Sequence, residues 1–457
     1  MRLLSCASAA LALAATSLSA QPVADRYRAD ANRIIDAALS DSVAWNRLAE
    51  MTETYGARFS GSPALERAID WMLAKMKEDG LQNVRGEPVM VPAWVRGSES
   101  AQLLLPRPTN LPMLGLGGSI ATPPGGITAD VIVVSSFSDL TSKAARAAGK
   151  IVLYDVPFTS YGETVQYRGR GAIEAAKVGA VAALVRSVTP YSMRTPHTGG
   201  MAYDSTVRRI PAAAITVEDA QMIHRMQDRG ERVRVKLMMS AKYNPDSRSR
   251  NVVAEIVGSE KPDEIVVFGG HIDSWDVGRG AMDDGGGVVV AWEALRVLQR
   301  LGLKPKRTIR VVGWTNEENG GRGGQAYRDA HRAAVDKHVL AIESDGGVFK
   351  PLGFGFTGSD SAFEIVKQIG TVLERIGSGA ITRGGGGADI GPIMALGVPG
   401  MGLTVDGTRY FWYHHTDADT IDKLDPREMA LCVATMAVMA FIVADLPDPL
   451  PRAAPAR

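Results

Sequence analysis

The sequence predicts an α/β protein built on a mainly parallel mixed sheet with helices on both faces, interrupted by a β-rich insert. Three observations carry this. After Asn251, short β-branched runs alternate with helical patterns, the signature of a parallel sheet. Ile265 to Phe268 is one such run, of the kind that forms a fully buried strand. Clusters of His, Asp and Glu follow several of these runs, and in such sheets ligands bind beyond the carboxyl ends of the strands.

In chain order, residues 1–20 carry one basic residue, Arg2, an Ala/Leu-rich run and a Leu18-Ser19-Ala20 ending. This is the pattern of a cleaved export signal, so the mature chain is expected to be periplasmic or extracellular. Residues 22–90 read as helical, with Ala64–Met76 at helical spacing after a turn and cap signal, Arg58 to Pro63. From about residue 105 the texture turns to glycine, proline and short β-branched runs, with short helices expected at 172–177 and 217–226, and residues 105–245 read as a module inserted into a domain formed by 21–104 and 246–446. His197 and His224 stand alone in this module and read as ordinary packed or surface histidines.

Beyond it, strands are expected at 264–270, 307–315, 338–343 and 398–404, and helices at 285–301, 322–335, 361–376 and 426–444. A Pro/Ala-rich tail covers 447–457. The apolar run Met429–Ala444 is bounded by Glu428 and Asp445 and reads as a core helix, so no membrane span is expected in the mature chain.

At 457 residues the chain suits two or three domains, at about 100–200 residues each. Its formal net charge is +1; loss of Arg2 with the leader brings this to 0, which gives a nucleic-acid partner no support. Of two cysteines only Cys432 lies beyond the leader, so the exported form has no internal disulfide and relies on its core.

The stretch from Glu264 to Val290 places His271 and Asp273 at a strand end, then the acidic pair Asp283-Asp284 before three glycines. Such nitrogen and oxygen donors suit a borderline divalent ion, with Asp273 expected to orient the His271 imidazole. Glu317-Glu318, Glu343-Ser344-Asp345, and the group Asp406, His414, His415 and Asp419 follow the next expected strands. Each alone reads as a solvated turn or cap; together, at successive strand ends, they read as one metal site.

The paired motifs GGHIDSWDVGRGAMDDGGG, WTNEENGG, ESDGG and YHHTDADT, with RFSGSPALERAIDW near the start, resemble those of the zinc aminopeptidase and glutamate carboxypeptidase family. The resemblance spans nearly the whole mature chain, and the insert, with PHTG and IPAAAITVEDAQM, resembles a protease-associated domain. It implies two zinc ions, one on His271 and Asp345, the other on Glu318 and His415, with Asp283 shared and a cis peptide at Asp283-Asp284. It also implies that Glu317 is the general base, that small unblocked peptides, chiefly dipeptides, are the substrates, and that the enzyme forms a homodimer.

Adjacent side chains of an extended segment diverge, so Glu317 and Glu318 can divide proton transfer and metal binding, and only one of His414 and His415 should reach the metals. The family places its ligating histidine four residues before an acidic residue followed by Thr or Ser, which His415 matches ahead of Asp419-Thr420; His414 stands where several relatives carry an oxyanion-stabilising tyrosine. Gly384–Gly387 before Asp389 would let backbone approach a ligand, or form a flexible loop. Arg279, Arg322, Arg409 and Tyr410 flank the expected site as candidates for a peptide carboxylate. An aminopeptidase of longer peptides, an amide-cyclising acyltransferase and a non-catalytic binding protein of the same fold are the alternatives.

Overall fold

The computed structural model describes residues 22–453; the expected leader and the last four residues of the tail lie outside the described residues. Three helices open the chain, Val23–Leu39, Val43–Tyr55 and Pro63–Glu78. Ser62 caps the third, its hydroxyl accepting from the Leu65 N–H at 3.2 Å ahead of Pro63 at the first helical position.

Helical structure then stops short of the expected residue 90. Gln82–Val95 is a strand, paired antiparallel with Lys242–Ile256. The first half of Gln82–Val95, up to Pro88, is solvated and mostly polar or charged, as are the first residues of Lys242–Ile256, which hides the period-two pattern that marks a half-buried strand.

The first sheet has eight strands, ordered Gln82–Val95, Lys242–Ile256, Arg307–Trp314, Lys261–His271, His338–Glu343, Gly400–Val405, Pro351–Thr357 and Ala380–Arg383. Its four central strands, from Arg307–Trp314 to Gly400–Val405, run parallel, and antiparallel pairs lie on either side. The strands at 351–357 and 380–383 were not expected from the sequence.

Burial explains the β-branched runs. Val266 and Phe268 face a cluster shared with the helices Gly286–Arg300 and Pro426–Asp445, whereas Ile265 and Val267 face one containing Tyr327 and Ile393. The helix Pro426–Asp445 is long and apolar enough to cross a bilayer, yet 83% of its most apolar window is buried, so it packs here as a core helix.

A second eight-stranded sheet is drawn from Glu99–Leu105 to Arg234–Met239 and has its own apolar clusters on its two faces. The chain enters it at Glu99 and is back in the first sheet by Lys242. Its helix Tyr161–Lys177 is much longer than the 172–177 segment expected from the sequence, and begins at a Ser160 cap.

Candidate metal centre

The central parallel strands all deliver donors at their carboxyl ends. His271 is the last residue of its strand, Glu317 and Glu318 follow Trp314, Asp345 follows Glu343, and His414 and His415 follow Gly400–Val405 through a short helix, Tyr410–Tyr413. A tenth or less of His271, Asp283, His414 and His415 is exposed.

Asp283 lies at the middle. Its Oδ1 is 3.3 Å from His271 Nε2, which is in turn 3.4 Å from Asp345 Oδ1. Its Oδ2 is 3.2 Å from His415 Nε2, which is 3.0 Å from Glu318 Oε2. One carboxylate thus presents separate oxygens to two donor groups. The Asp283-Asp284 peptide is cis.

The surroundings hold Asp283 there. The Asp419 carboxylate accepts from the N–H groups of Ala281 at 3.0 Å, Met282 at 2.7 Å and Asp283 at 3.2 Å. The neighbouring Asp284 turns away, accepting from the N–H of His271 at 3.0 Å and of Gly287 at 3.1 Å. A Cβ at position 287 would stand 2.2 Å from that carboxylate, so glycine is required to close the clasp.

Asp273 departs from its expected part. The Nδ1 of His271 is met by the Asp273 backbone carbonyl at 2.9 Å, while the carboxylate is 3.7 Å away. That carboxylate instead accepts from the Glu317 N–H at 3.1 Å and the Ser60 hydroxyl at 3.4 Å. It therefore sets the turn carrying Glu317, in which Asn316 holds φ 70°, a left-handed conformation that needs support.

The expectation that only one of the adjacent histidines could face the site does not hold. His415 has φ 61°, which rotates its ring to the same side as His414. The rings stack with centroids 3.5 Å apart, and His414 Nε2 comes within 3.6 Å of Asp283 Oδ2. The divergence rule assumes extended backbone, and this residue is left-handed.

Glu317, Tyr410 and His414 line the same cleft of about 400 Å³ as Asp283, Glu318, Asp345 and His415. Arg279, Arg322 and Arg409 do not. Arg279 is exposed and held only through its backbone. Arg322 pairs with Asp246, and Arg409 pairs with Glu428 over the Phe349 ring. Asp389 is buried beneath the site with both carboxylate oxygens unpartnered. The preceding glycines serve packing: Cβ atoms at 385 and 387 would collide with Gly355 and with the Glu343 carboxylate.

Several site residues were not foreseen. The fully buried Arg58 donates to the carbonyls of Ile272, Arg279 and Gly280 at 2.8 Å each. From the second sheet's module, Tyr161 and Arg168 line the cleft. They stand seven apart, on one face of a helix, with Arg168 Nη2 donating to the Tyr161 hydroxyl at 2.7 Å. His197 is not isolated either: its Nδ1 lies 2.8 Å from the His414 carbonyl.

Burial raises Glu317 to about 8, with Asp345, Asp283 and Asp273 adding to the effect. Burial also lifts Glu318 and Asp284 well above the carboxylate range. Burial opposes charge on Asp283 too, yet the imidazoles of His271 and His415 hold it well below that range. Packing so many carboxylates together is costly unless cations neutralise them. Asp283 Oδ2 and Glu318 Oε1 are buried without a hydrogen-bond partner, and the mixed imidazole and carboxylate donors are those that borderline divalent ions take. The residues fit metal ions on both sides of Asp283.

Residues 251–440 match the model of Peptidase family M28. The chain is 50% identical over 429 residues to carboxypeptidase Q of Xenopus laevis, covering 93% of this chain and 92% of that protein. It is 48% identical over 408 residues to carboxypeptidase Q of Homo sapiens, covering 89% and 86%. The crystal structure of a peptidase M28 precursor from Shewanella amazonensis superposes with TM-score 0.92 at 38% identity, over 95% of this chain and 100% of that one. A zinc aminopeptidase from Bacillus subtilis shares the fold, with TM-score 0.65 at 20% identity, covering 87% and 93%. The chain belongs to peptidase family M28 and is a metallopeptidase.

Proposed function

We propose that this chain is an exported dinuclear-zinc exopeptidase that hydrolyses small unblocked peptides, chiefly dipeptides. The observation that carries the reading is Asp283, with Oδ1 facing the His271 and Asp345 group and Oδ2 facing the His415 and Glu318 group. His271 and Asp345 would hold one ion, His415 and Glu318 the other, and Asp283 both. When bound, the ions supply Lewis acidity to the scissile carbonyl and to water.

The remaining chemistry belongs to the chain. Glu317 takes a proton from the attacking water and returns it to the leaving amine. Glu317 lines the cleft beside Asp283 and Asp345 without belonging to either donor group, which suits that duty. The Asp273 carboxylate fixes its backbone, so that it moves protons while Glu318 binds metal. Tyr410 and His414, on the cleft wall, are placed to donate to the carbonyl oxygen as it gains charge.

Among the described residues, Arg168 is the one Arg or Lys lining the cleft, and its Nε is buried without a partner. It would bind the free carboxylate of the peptide. We read the second sheet's module as a protease-associated domain that closes this cleft, with homodimer formation and a cleaved leader as further parts of the proposal. Purified enzyme tested on dipeptides, tripeptides and end-blocked peptides checks the reading. Free dipeptides should be cleaved, and C-terminal amides should lose at least about tenfold in kcat/KM; equal rates on amides would remove Arg168 from recognition.

A further inference from the structure

The cleft does not end at the metal donors. A second cavity of about 450 Å³ adjoins it, and the two share Gly200 and Glu318 in their walls. This volume lies within the range of small-molecule sites. Its walls include Trp94, Tyr243, Met201, Asn319, Arg170 and several glycines.

Most of those glycines are explained by the protein itself. A Cβ at Gly117 would fall 2.0 Å from the Trp275 ring, one at Gly320 would fall 2.4 Å from Asn316, and Gly118 has φ 90°. Gly169 and Gly200 are different. A Cβ at Gly169 meets nothing within 4 Å outside its own helix, and one at Gly200 meets only the Glu318 carbonyl at 3.7 Å. Gly169 also sits inside the helix Tyr161–Lys177, where glycine is disfavoured. Neither position requires glycine for its own packing or backbone conformation; what a side chain at either would remove is space in the chamber.

We propose that this chamber seats an uncharged, bulky side chain, aromatic or large aliphatic, on the amino-terminal residue of the peptide. The proposal rests on the exopeptidase reading, which places the carboxyl-terminal residue at Arg168 and leaves the other residue for the far side of Glu318. The polarity of the walls selects the class. Arg170 is paired with Glu174 at 3.0 Å and its side chain is 61% exposed, so its charge is answered outside the chamber. An acidic side chain would give up its hydration for walls that offer it no unpaired basic side chain. An aromatic ring finds two rings and a thioether to pack against.

The test is the hydrolysis of Phe-Ala, Gly-Ala, Glu-Ala, Ala-Phe and Ala-Gly by the zinc-loaded enzyme and its Gly169→Leu and Gly200→Val variants. The wild type should favour Phe-Ala over Gly-Ala and Glu-Ala by at least about tenfold in kcat/KM. Each variant should lower the Phe-Ala to Gly-Ala ratio by about tenfold, through KM, and leave the Ala-Phe to Ala-Gly ratio in place. An unchanged Phe-Ala to Gly-Ala ratio in both variants overturns the proposal, as does a change confined to the carboxyl-terminal residue. Wild-type enzyme that cleaves none of these dipeptides overturns the exopeptidase reading itself, a result distinct from altered selectivity.

Discussion

His197 Nδ1 stands 2.8 Å from the carbonyl oxygen of His414. Burial lowers the His197 pKa to about 3, so the ring is neutral and donates this hydrogen bond. The next residue continues the contact: the Thr198 N–H donates to the His415 carbonyl at 3.0 Å, and His415 Nδ1 is 3.3 Å from the Thr198 carbonyl. The inserted module thereby sets the backbone and ring of a proposed metal donor.

Replacing His197 by Ala should loosen that loop, at a cost of about 1–3 kcal/mol for the lost buried hydrogen bond, and weaken zinc on the His415 side. Titration of the second zinc against a competing chelator reads this directly. His197→Asn, which keeps an N–H donor, should recover part of the affinity. Equal affinity in wild type and His197→Ala would reduce the contact to packing.

For the stacked histidines, geometry favours His415 as the donor, because it alone of the pair approaches both Asp283 and Glu318. His415→Ala should lose one bound zinc. His414→Ala should keep both and lose kcat through weaker support of the carbonyl oxygen, by about 100-fold. Metal counts that come out the other way round would exchange the two assignments.

Removing metal should also destabilise the fold, because the carboxylates around Asp283 lose the cations that offset their mutual repulsion. Dialysis against a chelator should lower Tm, and added zinc should restore it. Identical melting with and without metal would place the cost of that acidic cluster elsewhere.

Away from the centre, His338 should make the fold acid-sensitive. Its Nε2 accepts from the Tyr327 hydroxyl at 2.9 Å and its Nδ1 donates to the Ala334 carbonyl at 3.2 Å. Burial first, and then Arg310, His331 and Arg452, lowers its pKa to about 4. The unfolded chain takes up this proton below about pH 6.5, so the stability is complete above that pH and is lost as pH falls toward 4. From this one group the loss is about 3 kcal/mol. His338→Asn should flatten the fall in unfolding free energy between pH 7 and 4.5, and an unaltered slope would contradict the assignment.

Three of the parallel strands, Lys261–His271, Arg307–Trp314 and His338–Glu343, were legible because each carries a buried run with β-branched residues and leads into acidic or imidazole side chains. The antiparallel strand Gln82–Val95 was not, since its first half, up to Pro88, is solvated and carries no clean alternation. The donor clusters could be found by residue type and by their place after the expected strands, and the resemblance to the family picked the donors within them. Their supports could not: Arg58 donates to carbonyl groups, which every residue has, so nothing in the sequence names its partners. Tyr161 and Arg168 left a weaker trace, seven apart on a helix whose first half was missed. The His414 and His415 pairing was misjudged because a positive φ at a histidine has no compositional mark.

The division of labour between adjacent glutamates is tested most directly by counting zinc in Glu317→Gln while measuring its turnover. Two zinc ions per chain should remain, with kcat lower by on the order of a thousandfold or more. A variant that binds only one zinc would make Glu317 a metal donor, and one that keeps its turnover would place the general base elsewhere.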